Sequence, residues 1–349
     1  MQNSRRLNRN SVKSILVVKQ HNQLGDMLCT LPLLASIRKS FPYSNIRLIA
    51  SQDNYRILNS PSEKYIDELL VYDKSTPLKF SKFLLNLKNR KYDIAIVPST
   101  FSFSRTSHLI CYLSGAKFKV GVKSADSKVN KYANYLNVKA DFEWESRKLH
   151  QVDRFLEIGR IIGCEFSEQD RNSVRLTFSR QEINSAKDFF RMHFGKNGRK
   201  IIGIHTGAGK IQNRWSAANF ANLMKMLYEK TNCIFFLTDS KTDTDSTIEL
   251  INNLDSGFVR ENIVFDDGMN IRILGAVLSG IDLYITNDTG LMHVAAYSGT
   301  KVISLFGPTN GYEWAPIMKH NIFIQSPDRN INSISVDSVF KNALSLIYE

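Results

Sequence analysis

An aspartate, a threonine and a glycine stand side by side where they could bind an anion. Asp288, Thr289 and Gly290 separate a short apolar stretch, residues 283–286, from a run with helical character, residues 291–297. The first amides of a helix have no partners inside the helix, and they lie at the positive end of its dipole. The turn is therefore predicted to bind a phosphate group, with the threonine hydroxyl beside it.

The same residues also suit a purely structural role. Asp288 and Thr289 are of the types that commonly cap helices, and a histidine on a half-apolar helix commonly packs in a core. His293 lies about one turn from the predicted helix start, close enough to reach a ligand there. The anion site and the capped helix both remain open from these residues alone.

A second candidate for chemistry is Asp26, in the turn that follows the apolar stretch 14–18. A helical period begins at Met27, so the carboxylate lies at a predicted helix start, where the dipole favours a negative charge. Such a group suits a general base or an orienting role. The alternative is a simple helix cap.

A third turn, rich in glycine, follows the apolar stretch 201–205 and precedes a predicted helix at 216–230. Its residues of interest are Thr206, Gly207, Ala208, Gly209, Lys210 and Arg214. A strand, a glycine-rich loop with two basic residues and a helix predict a phosphate cradle. The spacing matches neither a Walker loop nor the dinucleotide fingerprint, which argues against an NAD-dependent dehydrogenase.

These turns each join an apolar stretch to a helical period, as in units that build parallel sheets with ligand sites at the carboxyl edge. The 349 residues fit two domains of about 150 residues each. We expect them to span residues 12–178 and 179–349, with a last helix near 336–348 that could pack back on the first domain. The polar, poorly periodic segment 123–146 is predicted to form loops.

The composition, 43% hydrophobic and 23% charged, is that of a folded globular protein. No apolar run is long enough to predict a membrane-spanning helix. The four cysteines are far apart and lack metal-ligand spacing, which predicts reduced thiols in a cytoplasmic protein and no structural zinc.

The formal net charge of +13 is confined to the first half of the chain. Residues 1–175 contain 29 Lys and Arg against 16 Asp and Glu, whereas the remainder has 17 of each. This asymmetry predicts an anionic partner, either a phosphorylated substrate, a membrane surface or a nucleic acid, unless the basic surface serves solubility alone. Nucleic acid is disfavoured because the basic residues are dispersed and no recognition motif accompanies them.

Three blocks of sequence carry a family resemblance. They are Leu24-Gly25-Asp26 with Thr30-Leu31-Pro32, then Gly207-Ala208-Gly209 with Arg214-Trp215, and Asn287-Asp288-Thr289-Gly290-Leu291-Met292-His293 with Gly307-Pro308-Thr309. Together they resemble the bacterial lipopolysaccharide heptosyltransferases, which are glycosyltransferases that use ADP-heptose. The resemblance covers nearly the whole chain in order.

The resemblance implies an α/β fold of the GT-B type, in which two doubly wound, Rossmann-like domains with parallel sheets face a central cleft. It implies an acceptor-binding first domain and a nucleotide-sugar-binding second domain. The implied reaction is the inverting transfer of a heptose from ADP-L-glycero-D-manno-heptose to a hydroxyl of the lipopolysaccharide or lipooligosaccharide inner core.

By position, the resemblance makes Asp26 the catalytic base that deprotonates the acceptor hydroxyl. The implied donor contacts are Thr206, Gly207, Ala208, Gly209, Lys210, Arg214, Asp243, Met269, Asp288, Thr289, Gly290 and His293. Helix amides and a basic side chain could stabilise the leaving diphosphate, so we expect no metal and no cofactor other than the donor substrate. A metal role for the D-x-D sequence that begins at Asp243 is disfavoured, since it lies in the second domain.

The implied partners are a nucleotide sugar, an anionic phosphorylated glycolipid and the inner face of the cytoplasmic membrane, with no nucleic acid. One residue departs from the family pattern: Asn213 stands where members usually carry lysine, and Lys210 or Arg214 could take over its role. Two alternatives stay open, a relative that uses another nucleotide sugar for a different surface glycan and a catalytically silent paralogue.

Overall fold

The structure is a computed structural model, which describes residues 9–60, 63–195, 198–239, 243–266 and 268–349. The described residues form two compact units, one ending at Val174 and the other running from Arg175 to Glu349. The sequence-based division was placed four residues later, after Phe178.

The first unit is an α/β sheet with helices in its connections. Its strands are β1 (Ser14–Lys19), β2 (Asn45–Ala50), β3 (Glu68–Val71), β4 (Ile94–Ile96), β5 (Phe118–Ala125), β6 (Lys128–Val129) and β7 (Val138–Phe142). Its helices are α1 (Leu24–Leu28), α2 (Leu31–Ser40), α3 (Gln52–Leu58), α4 (Pro77–Lys88), α5 (Arg105–Leu113), α6 (Gln151–Arg160) and α7 (Glu168–Ser173). The strand order is β3-β2-β1-β4-β5, with β6 antiparallel and β7 parallel to β5.

The prediction of loops for residues 123–146 is wrong, because β5 extends into this segment and β6 and β7 lie inside it. The side chains of β7 alternate between exposed and half-buried, as expected for a strand at the edge of the sheet. Such a strand shows no continuous apolar run, which explains why its sequence resembles a loop.

The second unit is a parallel sheet with helices in its connections. Its strands are β8 (Ile201–His205), β9 (Ile234–Leu237), β10 (Ile263–Phe265), β11 (Leu283–Asn287), β12 (Val302–Phe306) and β13 (Asn321–Gln325). Its helices are α8 (Arg180–His193), α9 (Ala217–Thr231), α10 (Thr244–Asn252), α11 (Ser256–Asn262), α12 (Ile271–Leu278), α13 (Gly290–Ser298), α14 (Gly311–Trp314) and α15 (Val336–Tyr348).

The strands of the second unit follow the order β10-β9-β8-β11-β12-β13, all parallel. This is the order of a dinucleotide-binding doubly wound sheet, and it reverses between β8 and β11. The predicted α/β class with doubly wound units is therefore confirmed.

The last helix, α15, packs against α9, β11 and β12 of the second unit. Its apolar side chains Val339, Ala343 and Leu346 belong to the same buried cluster as Trp215 and Phe220. Burial of this apolar face stabilises the end of the chain on the second sheet. Within the described ranges, no helix has the length and apolar character needed to cross a membrane.

Candidate functional site

The loops that carry most of the candidate residues meet where the strand order of the second sheet reverses. Strands β8 and β11 are parallel neighbours, with Thr286 beside His205 in the register. Their carboxyl ends lead into the loop 206–210 and the turn 288–290, respectively. Ligands of doubly wound sheets bind in the crevice at such a reversal.

The side-chain amide of Asn287, the last residue of β11, fixes the geometry of this edge. Its Nδ2 donates hydrogen bonds to the carbonyl oxygens of Thr206 at 2.8 Å and Gly207 at 3.2 Å. Its Oδ1 accepts one from the backbone N–H of Trp215 at 3.1 Å. Asn287 is fully buried, so one side chain joins both ends of the glycine-rich loop to the neighbouring strand.

The first turn of α13 is open to an anion. Thr289 stands at the N-cap position, but its side chain accepts no hydrogen bond from the helix amides. Its hydroxyl instead lies 3.4 Å from that of Thr286. The simple capping role for Thr289 is therefore absent, and the amides that begin at Gly290 keep their capacity to bind a negatively charged oxygen.

The carboxylate of Asp288 is turned toward two other loops. Asn213 Nδ2 lies 3.3 Å from Asp288 Oδ2 and 3.1 Å from the hydroxyl of Thr309. Burial raises the pKa of Asp288, while the hydrogen bond from Thr309 and the positive charge of Lys210 lower it. The net shift is upward, so this half-buried carboxylate is held at a cost in folding free energy.

Asn213, where the resemblance predicts a departure from the family pattern, is nearly buried. Its Oδ1 has no hydrogen-bond partner among the described residues. A buried amide oxygen without a partner is costly and has the capacity to accept a hydrogen bond from a ligand. Lys210, on the same loop, is exposed and acts on Asp288 through its charge.

Gly207 is required by the close approach of Asp243. A Cβ atom at this position would lie 2.3 Å from Asp243 Cγ. The carboxylate in turn accepts a hydrogen bond from Arg214 at 3.2 Å, and Arg214 Nε donates to the carbonyl of Ala208, also at 3.2 Å. Arg214 is thus committed to shaping the loop, which leaves Lys210 as the more accessible of the two predicted cations.

A buried histidine that the sequence did not single out lies beneath this pair. His205 Nε2 is 3.9 Å from Asp243 Oδ2, and its Nδ1 is 3.0 Å from the carbonyl oxygen of Thr238. Burial lowers the pKa of His205, against the opposing effects of Thr238 and Asp243. The ring therefore favours its neutral form at this edge of the sheet.

The remaining predicted donor residues differ in exposure. Thr206 is buried and its hydroxyl lies 3.1 Å from that of Ser246, so its side chain serves the loop. His293 is 3% exposed, one turn inside α13. Met269 is half-buried and follows β10, at the edge of the sheet and two strands from β8, where its N–H donates to Asp266 Oδ1 at 3.0 Å.

In the first unit, Asp26 lies in the short helix α1 and forms a buried ion pair. Asp26 Oδ2 is 2.6 Å from Nζ of Lys19, and the two side chains are 12% and 5% exposed. Lys19, at the carboxyl end of β1, also lies 3.4 Å from the carbonyl oxygen of Pro98 and 4.4 Å from the ring centroid of Phe155. The Asp26 carboxylate is thus positioned by a lysine whose ammonium group also contacts Pro98 and Phe155.

A cavity of about 920 Å³ with mostly polar lining residues opens at the carboxyl ends of β1, β2 and β3, and its lining includes Gln20, the residue after Lys19. Its walls include His21, Ser51, Tyr72, Lys74 and Lys79. Burial and the nearby charge of Lys19 lower the pKa of His21, while Asp26 acts in the opposite direction. The first unit therefore offers an open, polar binding space at the sheet edge that also carries its candidate base.

The sequence did not point to Lys19 or to the role of Asn287. Each is the last residue of a mostly apolar strand, a position that places a polar group at the ligand edge of a parallel sheet. That position is the signal that could have identified both.

The described residues contain no group of three or more His, Cys, Asp or Glu side chains arranged to hold a metal ion. Within the D-x-D sequence, Asp243 pairs with Arg214, and Asp245 is exposed at the start of α10.

Comparison with known proteins gives a consistent result. The sequence profile of a family described as glycosyltransferase family 9 (heptosyltransferase) matches residues 80–343. The chain is 25% identical over 306 residues to the lipopolysaccharide core heptosyltransferase OpsX of Haemophilus influenzae, an alignment that covers 87% of this chain and 82% of that protein.

Two solved structures have a similar fold. A family 9 glycosyltransferase from Veillonella parvula superposes with a TM-score of 0.80 at 19% identity, covering 96% of this chain and 97% of that one. The ADP-heptose lipopolysaccharide heptosyltransferase II of Escherichia coli gives 0.77 at 20% identity, covering 96% and 98%. At these identities the likeness establishes the two-unit α/β architecture of the GT-B type.

Removing one partner of the buried pair in the first unit should destabilise the protein strongly. Lys19→Met leaves the carboxylate of Asp26 buried without its cation, which costs about 3 to 5 kcal/mol. The double variant Lys19→Met/Asp26→Asn removes both charges and should recover most of that loss. Urea unfolding measures the free energy of unfolding of each variant, with the exposed Lys13→Met as control. A double variant that loses as much stability as the sum of its two single substitutions would contradict the pairing.

The upward pKa shift of Asp288 predicts a pH-dependent stability difference. Because the ionised carboxylate is less favourable in the folded chain, wild type should lose stability relative to Asp288→Asn as the pH rises through the raised pKa. The variant should melt at higher temperature at neutral pH, and the difference should vanish below about pH 3.9, the usual aspartate value. Thermal melts across pH test this, with the exposed Glu229→Gln as control; an unchanged or lower melting temperature at neutral pH would refute it.

Proposed function

The chain belongs to glycosyltransferase family 9, the heptosyltransferases, and from that premise we propose that it transfers a heptose from ADP-L-glycero-D-manno-heptose to a hydroxyl of the lipopolysaccharide or lipooligosaccharide inner core. The observation that carries the proposal is the turn 287–290, where Asn287 fixes the loops and Thr289 leaves the first amides of α13 uncapped. That arrangement suits the diphosphate of a nucleotide sugar.

The donor assignment rests on the second unit. The open helix start and the exposed Lys210 offer fixed dipoles and a cation for the diphosphate. The unpartnered Oδ1 of Asn213 and the carboxylate of Asp288 offer acceptors for hydroxyl groups of the sugar. Among the similar proteins, the Escherichia coli enzyme is described as using ADP-heptose, which supports an adenine nucleotide here.

The acceptor assignment rests on the first unit, with Asp26 as the general base. The carboxylate takes the proton of the acceptor hydroxyl as its oxygen forms a bond to the anomeric carbon. The bond from that carbon to the diphosphate oxygen breaks with inversion, and ADP leaves. Lys19 acts as a positioning residue, since its contact of 2.6 Å keeps the carboxylate in one orientation.

Negative charge grows on the departing diphosphate during transfer. The first amides of α13 are oriented before the reaction begins, so they stabilise this charge without reorganisation. Lys210 adds a cation from the facing loop. We propose that these groups serve in place of a divalent metal and that the donor is the reaction's sole nucleotide requirement.

The acceptor is proposed to be an anionic phosphorylated glycolipid at the inner face of the cytoplasmic membrane. The excess of 29 basic over 16 acidic residues up to Arg175 supports this, because a basic first unit favours an anionic partner and surface. OpsX, named for the lipopolysaccharide core, aligns over 87% of this chain.

Asn213 favours one alternative, a related transferase with another nucleotide sugar. A neutral amide lies 3.3 Å from Asp288 where members usually carry a cation, and this changes the hydrogen bonds offered to the sugar. A transfer assay with different nucleotide sugars distinguishes this alternative from the heptosyltransferase. The alternative requires that a sugar other than heptose is transferred faster than heptose.

Transfer of labelled heptose to inner-core glycolipid tests the proposal. Wild type should transfer heptose from ADP-heptose without added metal, whereas Asp26→Asn should lower turnover a hundredfold or more, as expected for loss of a general base. ADP affinity should stay near wild type because the substituted residue lies in the first unit. A wild-type protein that binds ADP but transfers no sugar would support the silent paralogue, and near-normal turnover of the variant would remove Asp26 from the mechanism.

A further inference from the structure

Helix α4 of the first unit exposes apolar side chains that no described residue covers. Leu78 is 78% exposed and Leu85 is 62% exposed, whereas Phe83 and Leu87 are the buried residues of the helix. The twelve-residue helix α4 therefore packs against the sheet through one narrow face. Scattered exposed leucines need no explanation, but two on one short helix that also carries several lysines form a pattern.

The exposed leucines lie on the face opposite the core. Leu78 and Leu85 are seven residues apart, which places them on the same side of the helix, about half a turn from Phe83 and Leu87. Lys82 lies between them on that side, and Lys79 and Lys88 flank it. The outward surface is thus a leucine ridge bordered by lysines.

The segment around the helix carries charge of one sign. Residues 74–91 contain six basic residues and no acidic one. Lys79 pairs with Asp73 at 3.0 Å and Arg90 with Glu68 at 2.8 Å. In the described part of the chain, the other four make no ion pair; they are Lys74, Lys82, Lys88 and Lys91. The ridge is therefore surrounded by uncompensated positive charge.

We propose that α4 is an interfacial helix that docks the first unit on an anionic lipid bilayer, with its leucine ridge in the headgroup region and its lysines on lipid phosphates. Leucines on one side with flanking lysines are the features of helices that lie in a membrane surface. Each basic residue near an anionic leaflet adds to the attraction, and the contribution falls with salt.

The start of α4 lies at the mouth of the cavity in the first unit. Lys74, Ser75 and Lys79, at and just before its first turn, also line the 920 Å³ cavity at the carboxyl ends of β1, β2 and β3. A bilayer under α4 would bring the cavity to the headgroup level. A lipid-anchored acceptor could then enter it without leaving the membrane, so this part of the inference rests on the proposed function.

Co-sedimentation with vesicles tests the docking without any transfer reaction. Wild type should bind vesicles of phosphatidylethanolamine and phosphatidylglycerol, release them as salt rises, and bind phosphatidylcholine vesicles weakly. Leu78→Gln/Leu85→Gln should weaken binding to the anionic vesicles roughly tenfold or more. Lys82→Glu/Lys88→Glu should remove most of the salt dependence of vesicle binding.

Matched variants of the second unit control for a general loss of surface apolarity or charge. Ile183→Gln/Met192→Gln on α8 replaces two residues that are also exposed, and Lys225→Glu/Lys230→Glu on α9 reverses two exposed lysines. Both should bind vesicles like wild type. The inference is overturned if wild type fails to bind anionic vesicles, or if the α4 variants bind as tightly as wild type, which would leave a protein partner as the occupant of the ridge.

Transfer assays separate this inference from the proposed function. With a soluble, deacylated acceptor the leucine variant should keep wild-type turnover, whereas with an acceptor embedded in vesicles it should lose activity in proportion to its loss of binding. Vesicle binding that depends on α4 in a protein without heptose transfer would support the docking surface and contradict the proposed function alone.

Discussion

The geometry of the carboxyl edge of the second sheet depends on the three hydrogen bonds of one buried amide. Asn287 is fully shielded from water and bonds to Thr206, Gly207 and the N–H of Trp215. These backbone groups would otherwise be buried without partners, at about 1 to 3 kcal/mol each. Because the same residue ends β11 and begins the turn into α13, the glycine-rich loop and the open helix start cannot shift independently of one another.

Both units fix a loop at the sheet edge with the last residue of a strand, but the two residues differ in charge. In each, the last residue of a central strand is polar and fixes the loop that follows a neighbouring strand. In the first unit this residue is a charged lysine, which holds the Asp26 carboxylate at 2.6 Å and also contacts the loop after β4. In the second it is the neutral amide of Asn287, which bonds to backbone groups of the glycine-rich loop.

Sequence reasoning predicted the parallel sheet edges well because their signals are local. The apolar stretch 201–205 forms strand β8 with these bounds, and the turn at 288–290 opens α13 as expected. The helical period that begins at Met27 does not form one continuous helix. The helix breaks at Cys29 and Thr30, where Thr30 donates a hydrogen bond to the carbonyl of Asp26 at 2.9 Å, and α2 begins at Leu31 with Pro32 in its first turn.

Contacts between distant residues could not be predicted in this way. The pairing of Lys19 with Asp26, the packing of Asp243 against Gly207 and the edge pairing of β7 all depend on which loops the topology brings together. Charge and apolar periodicity identify which residues are available, but not which of them meet. The roles of the individual donor residues therefore stay predictions, while the family and the fold are established.

Calorimetric titration of the protein with ADP, UDP, GDP and NAD, with and without magnesium, tests the central claim most directly. That claim is that the fixed loops and open helix start of the second unit bind an adenosine diphosphate group through protein dipoles and a lysine. We predict preferential binding of ADP, unchanged by magnesium. Preference for UDP or GDP, a requirement for metal, or binding of none of the four would contradict it.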